Sequence, residues 1–422
     1  MKLGTFWIVS ITLALWGSTA QAQLKPAESS PVALADLVAE AERVHPAVKA
    51  EAQMIESKKA RIPQVKALPD PTVTVGWMGN IRPFSVQHLD PSSYRGISAM
   101  QEFPYPGKLK LRGQMAEKDV EAERWNLEAT RREIRAQVKS AYFELWAVEQ
   151  ALVITQKNKN LLDKLARIAV EKYKVGKGLQ PDVLRSQVEV SRILRTFTLL
   201  HQRRSALVTK LNTLLLRPAG TPIGQLTPVE KSPLTYSLEE LTDAGVKNSP
   251  EIRRQEQLIE QSQYAVNLAQ RAYYPDFKAG YDYQQRPGMP DMHGFNVGIN
   301  VPIFYKKKQR EGVREANFAL ESSKQSREAI RTSLLFQVKD QYLQAKASDE
   351  LLTLYTKGLV PQSALALESS LAAYQTGSLD FESLVSNFTS VLEYEVNYYE
   401  ELANYEKALV NLEQITGAEL AN

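Results

Sequence analysis

Side chains able to do chemistry are few and scattered in this chain. Its four histidines, His45, His88, His201 and His293, are dispersed, and no His-Glu-x-x-His pair, Gly-x-Ser-x-Gly elbow or phosphate loop accompanies them. No constellation for catalysis emerges, so no enzyme is expected and no cofactor is implied. The densest group of possible ligands is Met289-Pro290-Asp291-Met292-His293. The thioethers of Met289 and Met292 and the imidazole of His293 suit soft copper or silver ions; the same residues also suit an ordinary polar hairpin loop. Two cationic runs open long helical stretches, Lys108, Lys110 and Arg112 in one, Lys306, Lys307, Lys308 and Arg310 in the other. Cations at a helix N-terminus oppose the helix dipole, so they either have an anionic partner elsewhere or form a solvated charge run.

The elements that position these residues occur twice. Val138-Lys139, Tyr142 and Ala147 return as Val338-Lys339, Tyr342 and Ala347; Leu68-Pro69-Asp70 answers Tyr274-Pro275-Asp276, and Tyr173-x-x-Gly176 answers Tyr374-x-x-Gly377. A repeat this long is a domain-sized unit whose partner is the other copy, not a solenoid turn. In the first repeat, 23–216, helices are expected over 32–45 and 47–67, with Pro63 kinking or breaking the second. Strands follow at 72–79 and 94–103, then a helical hairpin over 107–216. Its long arm, to Lys174, contains no proline and extends roughly 100 Å at 1.5 Å per residue. Gly176, Gly178 and Pro181 break it before a return helix over 182–216. Residues 217–235, with Pro218, Gly220, Pro222, Gly224, Pro228 and Pro233, form a linker. The second repeat, 236–417, follows the same order. Helices are expected over 238–247 and 251–272, strands over 276–285 and 294–304, and a hairpin over 306–415; 418–422 is a tail.

Ile134, Val138, Ala141, Leu145, Val148 and Leu152 form a heptad seam on the first long helix. The second carries a more polar version, Leu334, Val338, Gln341, Ala345, Ser348 and Leu352. The strands alternate: Phe295, Val297, Ile299 and Val301 oppose Asn296, Gly298 and Asn300. A half-buried soluble sheet has this period, and so does a membrane barrel. Export favours the barrel. Lys2, the apolar stretch from Phe6 to Trp16 and Ala20-Gln21-Ala22 read as a signal peptide, 1–22, the apolar stretch being short for a membrane anchor. The absence of cysteine excludes disulfides, thiolate metal sites and a lipoprotein anchor. Lys and Arg number 52 against 48 Asp and Glu, so nucleic acid is not expected as a partner. Four strands cannot close a barrel, and lipid does not tolerate open sheet edges, so a membrane sheet of this size requires further copies.

The order of these elements resembles the TolC-like outer-membrane efflux family over nearly the whole mature chain. Ala67-Leu68-Pro69-Asp70-Pro71 entering the first strand and Gln101-Glu102-Phe103-Pro104-Tyr105-Pro106-Gly107-Lys108 leaving the second carry the likeness, the latter toward the heavy-metal branch. The ending Tyr405-Glu406-Lys407-Ala408-Leu409, Leu412-Glu413, Thr416-Gly417 is also similar to the family's. The resemblance implies a mainly α chain with a membrane β-barrel portion, three copies forming a twelve-stranded barrel above a long periplasmic helical barrel. It implies an outer-membrane duct of a tripartite efflux system, passively conducting metal ions or drugs. The partners would be a periplasmic membrane-fusion adaptor and an inner-membrane pump of the resistance-nodulation-division type. A type I protein-secretion duct and a non-pore periplasmic coiled-coil scaffold stand as alternatives.

On that reading Tyr173, Gly176, Gly178, Asp182, Tyr374 and Gly377 form the adaptor-docking tips; each Tyr-x-x-Gly is also a plain helix C-cap. Family members often carry Asp-x-x-Asp after the second tip glycine as a constriction ring. Here those positions are Ser383 and Ser386, with Asp380 and Glu382 the nearest acids. The two cationic runs then sit just past the periplasmic strand ends, where outer-membrane lipid phosphates are the expected partners.

Overall fold

The computed structural model describes residues 32–80 and 85–421. The expected signal peptide lies outside the described residues. Helices α1 (Leu34–Val44) and α2 (Pro46–Lys66) lead into strands β1 (Thr72–Met78) and β2 (Tyr94–Phe103), then α3 (Lys108–Lys174) and α4 (Gln180–Leu214). The second repeat runs α5 (Leu238–Asn248), α6 (Pro250–Arg271), β3 (Asp276–Gln285), β4 (Met292–Asn300), α7 (Gln309–Leu354), α8 (Val360–Thr376) and α9 (Phe381–Thr416). Five residues of π-helix, Tyr355–Leu359, join α7 to α8.

Each long helix is flanked by two shorter ones stacked end to end. Near the sheet α2 runs beside α3, with Lys66 on Glu117 at 2.6 Å. Toward the tip α4 takes its place, with Arg204 on Glu149 at 2.8 Å. Just past the end of α4, Arg217 pairs with Glu40 of α1. The core lies at that level. Ile134, Val138, Ala141, Leu145 and Val148 are all buried, and Leu334, Val338, Ala345, Ser348 and Leu352 form the second seam. Gln341, the polar member, accepts from Asn411 at 2.8 Å. The burial exceeds one seam, because Tyr142, Phe143, Trp146 and Ala147 are also covered where α1, α4, α9 and the linker surround α3. The linker crosses this belt, inserting Ile223 and Leu226 and bonding Ser232 N–H to Glu406 at 2.7 Å.

Three expected boundaries change. Pro63 neither breaks nor ends α2, because it falls in the last turn, where its missing N–H disturbs a single bond and Ala67 still donates to its carbonyl. The second long helix is not continuous. Pro361 has no N–H for the carbonyl four residues back and its ring crowds that carbonyl; the chain widens to a π turn, with Val360 N–H bonding Tyr355 instead. Strand β4 ends at Asn300, short of the expected 304, because Pro302 cannot donate and Ile303 turns back to bond Val301 at 2.9 Å.

Candidate functional site

Two regions carry the functional geometry: an open sheet at one end and a two-hairpin tip at the other. The sheet is antiparallel throughout, in the order β1-β2-β3-β4, so among the described residues no strand lies beside the outer edge of β1 or of β4. The register places Val73, Val75 and Trp77 beside Ala99, Ile97 and Arg95, and Phe277, Ala279 and Tyr281 beside Ile299, Val297 and Phe295. This face is almost bare: Val75 and Val297 are each 81% exposed and Phe295 84%. The opposite face carries Thr72, Thr74, Ser98, Glu102, Lys278, Asp282 and Asn296. Asn296 donates to Asp282 at 2.6 Å, and Lys278 stands 3.8 Å from Glu102. An apolar exterior and a polar interior face on strands of this length fit a lipid-embedded barrel wall. Among the described residues no helix is long and apolar enough to cross a membrane.

The Met/His group does not converge in this geometry. Met292 and His293 are consecutive in β4 and so point to opposite faces. His293 lies with Tyr281 and Tyr283, its Nδ1 2.7 Å from the Tyr281 hydroxyl, while the Tyr283 hydroxyl donates to Asp291 at 2.7 Å. The other histidines serve structure. His45 caps α2, accepting from Ala47 at 3.3 Å; His201 packs on Phe197; the His88 ring lies against Gly288. Among the described residues no cluster of three or more His, Asp and Glu side chains could hold a metal ion.

Where the strands meet the helices, the two cationic runs part company. Lys108 is buried, its ammonium 2.8 Å from Asp276 and 3.2 Å from the carbonyl of Tyr274. Asp276 also accepts the N–H of Tyr105 at 2.6 Å, and the Tyr105 and Tyr274 rings stack at 4.5 Å. Lys108 therefore has no access to lipid phosphate; it fastens the first repeat to the second. Lys110, Arg112, Lys306, Lys307, Lys308 and Arg310 remain exposed.

At the far end both tips close in the same way. Gly176 (φ +69°) donates to Tyr173 and Lys177 to Lys172; Gly377 (φ +85°) donates to Tyr374 and Ser378 to Ala373. These are Schellman caps, and the left-handed glycine is what the turn requires. At Gly178 a Cβ would lie 2.9 Å from the Lys172 side chain and 3.0 Å from the Tyr173 backbone, which keeps the turn tight.

The side chains at the two tips differ. Tyr173 is half exposed with Val175, Leu179 and Leu184, whereas Tyr374 is buried against Phe381 at 5.5 Å, with the Lys172 ammonium 4.2 Å over its ring. Lys172 also bonds the Tyr374 carbonyl, so the first hairpin grips the second. Leu162, Leu165 and Ala169 from α3, Ile193 from α4, and Leu384, Val385 and Phe388 from α9 complete a separate core at the tip. Burial, with the Asp182 charge nearby, holds the Tyr374 phenol above its ordinary range.

The acids near the expected constriction are already engaged. Asp380 caps α9, accepting Ser383 N–H at 2.7 Å and the Ser383 hydroxyl at 3.0 Å, and these bonds lower its pKa. Glu382 pairs with Arg185 at 3.1 Å, and Ser386 is exposed. Ser383 thus completes a helix cap.

One cavity, of about 430 Å³, lies beside the π turn. Ile154, Thr356, Val360, Pro361, Tyr398 and Tyr399 line it, and Lys157 crosses it to Glu395 at 3.1 Å. Sequence reading missed this place, although Gly358 and Pro361 marked it.

The profile of the outer membrane efflux protein family matches residues 37–215 and 242–418, one match in each repeat. No curated protein sequence matches the chain significantly. Among solved structures, the outer-membrane channel OprN is similar with a TM-score of 0.78 at 16% identity, over 92% of this chain and 90% of that one. CusC, described by its transmembrane channel formation, gives 0.77 at 14% identity over 92% of each chain. The outer membrane protein VceC from Vibrio cholerae gives 0.76 at 15% identity, over 91% of this chain and 96% of its own. At such identities the structural likeness speaks for the fold, and the profile speaks for descent. With both repeats matched from the first helix to the final cap, the chain belongs to the outer membrane efflux protein family and is an efflux channel of the outer membrane.

Proposed function

We propose that three copies assemble into one duct, passively conducting solutes received from a periplasmic membrane-fusion adaptor and an inner-membrane pump of the resistance-nodulation-division type. The observation that carries this reading is the open sheet. Its outer face is apolar, its inner face polar, and among the described residues neither edge has a neighbouring strand. Open edges are not tolerated in lipid, and four strands from each of three chains close a twelve-stranded barrel around the polar face. A coiled-coil scaffold without a pore has no use for such a surface.

Other features support the partners. The exposed Tyr173, Val175, Leu179 and Leu184 form an apolar rim at the first tip suited to adaptor helices. Lys110, Arg112, Lys306, Lys307, Lys308 and Arg310, beside the exposed Phe304 and Tyr305, suit inner-leaflet headgroups of the outer membrane. The exposed Glu382 and Ser386 line the narrow periplasmic end on this reading, while Asp380 and Ser383 hold the turn that presents them. The cargo is a metal ion or a drug, and selection lies with the pump.

Deleting the gene and challenging the strain with copper, silver, zinc, cobalt and hydrophobic toxicants tests this directly. Hypersensitivity to at least one, reversed by a restored copy, is the expected result. Unchanged sensitivity to all, in a strain with no second duct, rejects the efflux role.

A further inference from the structure

The internal repeat shows how one copy meets the next. Setting Asp276 on Asp70 at the strand entry and Pro302 on Pro104 at the strand exit superposes the two hairpins by sequence. This carries Lys278↔Gly298 onto Thr72↔Met100 and Gln284↔Met292 onto Met78↔Tyr94, and both are pairs that β1 and β2 make. Of the four anchors only Asp276, the first residue of β3, lies within a ladder, and the register is reproduced at both ends.

The same alignment gives the joint inside the chain, β2 against β3, a counterpart between chains, β4 against β1. Inside the chain Lys108 binds Asp276 at 2.8 Å and Tyr105 stacks on Tyr274. The corresponding residues are Lys306, Asp70, Ile303 and Leu68. An ion pair is matched by a second pair of opposite charge, and an aromatic stack by two aliphatic side chains. The strand pairs transfer as well. Gln101↔Ala279, Ala99↔Tyr281 and Ile97↔Tyr283 of the inner joint become Ile299↔Val73, Val297↔Val75 and Phe295↔Trp77. All six of these residues lie on the apolar face, so the transferred register sets apolar beside apolar without a slip. Such cross-strand pairs are the unit of sheet stabilisation.

The single chain also shows what is missing at the outer joint. Helix α3 starts at Lys108, whereas α7 starts at Gln309, three residues after the equivalent Lys306. Residues 303–308 form turns instead, with Ile303, Phe304 and Tyr305 exposed and Lys306 in solvent; Leu68 and Asp70 are exposed at the other edge.

We propose that β4 of one copy pairs with β1 of the next in the register Val297↔Val75, and that Lys306 binds Asp70 of the next copy while Ile303 packs on its Leu68. This rests on the trimer reading and specifies its contact.

The chain has no cysteine, so introduced pairs are read without background. Full-length protein carrying Val75→Cys and Val297→Cys is oxidised in isolated outer membranes, where directly opposed strand residues are within disulfide reach. A covalent trimer that reductant returns to monomer is expected on a denaturing gel. Higher yield from Val75→Cys with Phe295→Cys, or with Ile299→Cys, overturns the register. No cross-link from any pair in protein whose size-exclusion mass equals three chains overturns the joint and leaves the trimer standing; a one-chain mass overturns both. Lys306→Asp is expected to abolish the heat-resistant trimer band and Asp70→Lys in the same chain to restore it. Failure of the double variant to restore the band overturns the ion pair.

Discussion

The two long staves of this chain descend from one repeat and differ in continuity. Helix α3 runs 67 residues without interruption, while its counterpart is divided into α7, a π turn and α8. The uninterrupted stave carries the more apolar seam and the buried Lys108. The divided one carries Gln341 and Ser348 in its seam, Pro361 at its break and exposed lysines at its start. Duplication thus kept the architecture and left one copy with a continuous, more apolar stave and the other with a divided, more polar one. In the proposed trimer this asymmetry within the chain becomes alternation around the pore.

The largest effect separating the two staves is expected in the continuous one. Leu145→Ala removes a fully buried side chain and should destabilise by about 3 kcal/mol, measured by denaturation of the detergent-solubilised protein. Gln341→Ala, in the polar seam, should cost about 1 kcal/mol, the worth of one hydrogen bond. Equal losses would break the distinction.

Next is the joint at the sheet. Lys108→Ala leaves Asp276 facing a half-buried site without its cation and should cost about 2 kcal/mol, somewhat below a fully buried pair because Asp276 keeps some solvent. Lys110→Ala, two residues on and exposed, should stay within about 0.5 kcal/mol. Two similar values would mean that Lys108 is no staple.

Pro361→Ala bears on the break itself. With an N–H restored at 361, the π turn should relax toward α-helix, and amide exchange over 355–364 should slow to the level of the surrounding helix. Unchanged exchange would assign the π turn to the packing of α9 and the adjoining cavity, not to proline.

The smallest effect concerns the belt where the linker meets α9. Burial raises the Glu406 carboxyl above its ordinary value of 4.5, against the hydrogen bonds from Ser232 and the charges of Lys139 and Lys231. The native state therefore holds this proton more tightly than the unfolded chain. The group's contribution is fully present below about pH 4.5 and is lost as pH rises through its folded value, then stays level. Glu406→Gln should remove that part of the pH dependence; a variant whose stability profile parallels the parent's across acid pH would show that the carboxyl does not titrate there. Tyr405 beside it is pushed up to about 12 by burial, so its own loss falls only in strong alkali.

Local chemistry made much of this legible in the sequence. The tips were marked by Gly176 and Gly377, whose left-handed backbone is a property of the residue, and β4 by the alternation of Phe295, Val297 and Ile299 with Asn296 and Gly298. The fourth strand ran too long because apolar residues continue past Pro302, and only the ladder shows that its pairing has ended. The role of Lys108 was hidden, since its partner lies far along the chain and a lysine at a helix start reads as surface charge. Asp380 was legible as an acid near the second tip, but its commitment to Ser383 depends on the cap geometry. The π turn had its cause written at Pro361, masked by a pattern of charged and apolar residues that otherwise continues unbroken.

If this chain is one third of a closed duct, the native mass of protein extracted from outer membranes in mild detergent reveals it. A mass of three chains is predicted. A stable particle of one chain, with its sheet edges still open, would contradict it.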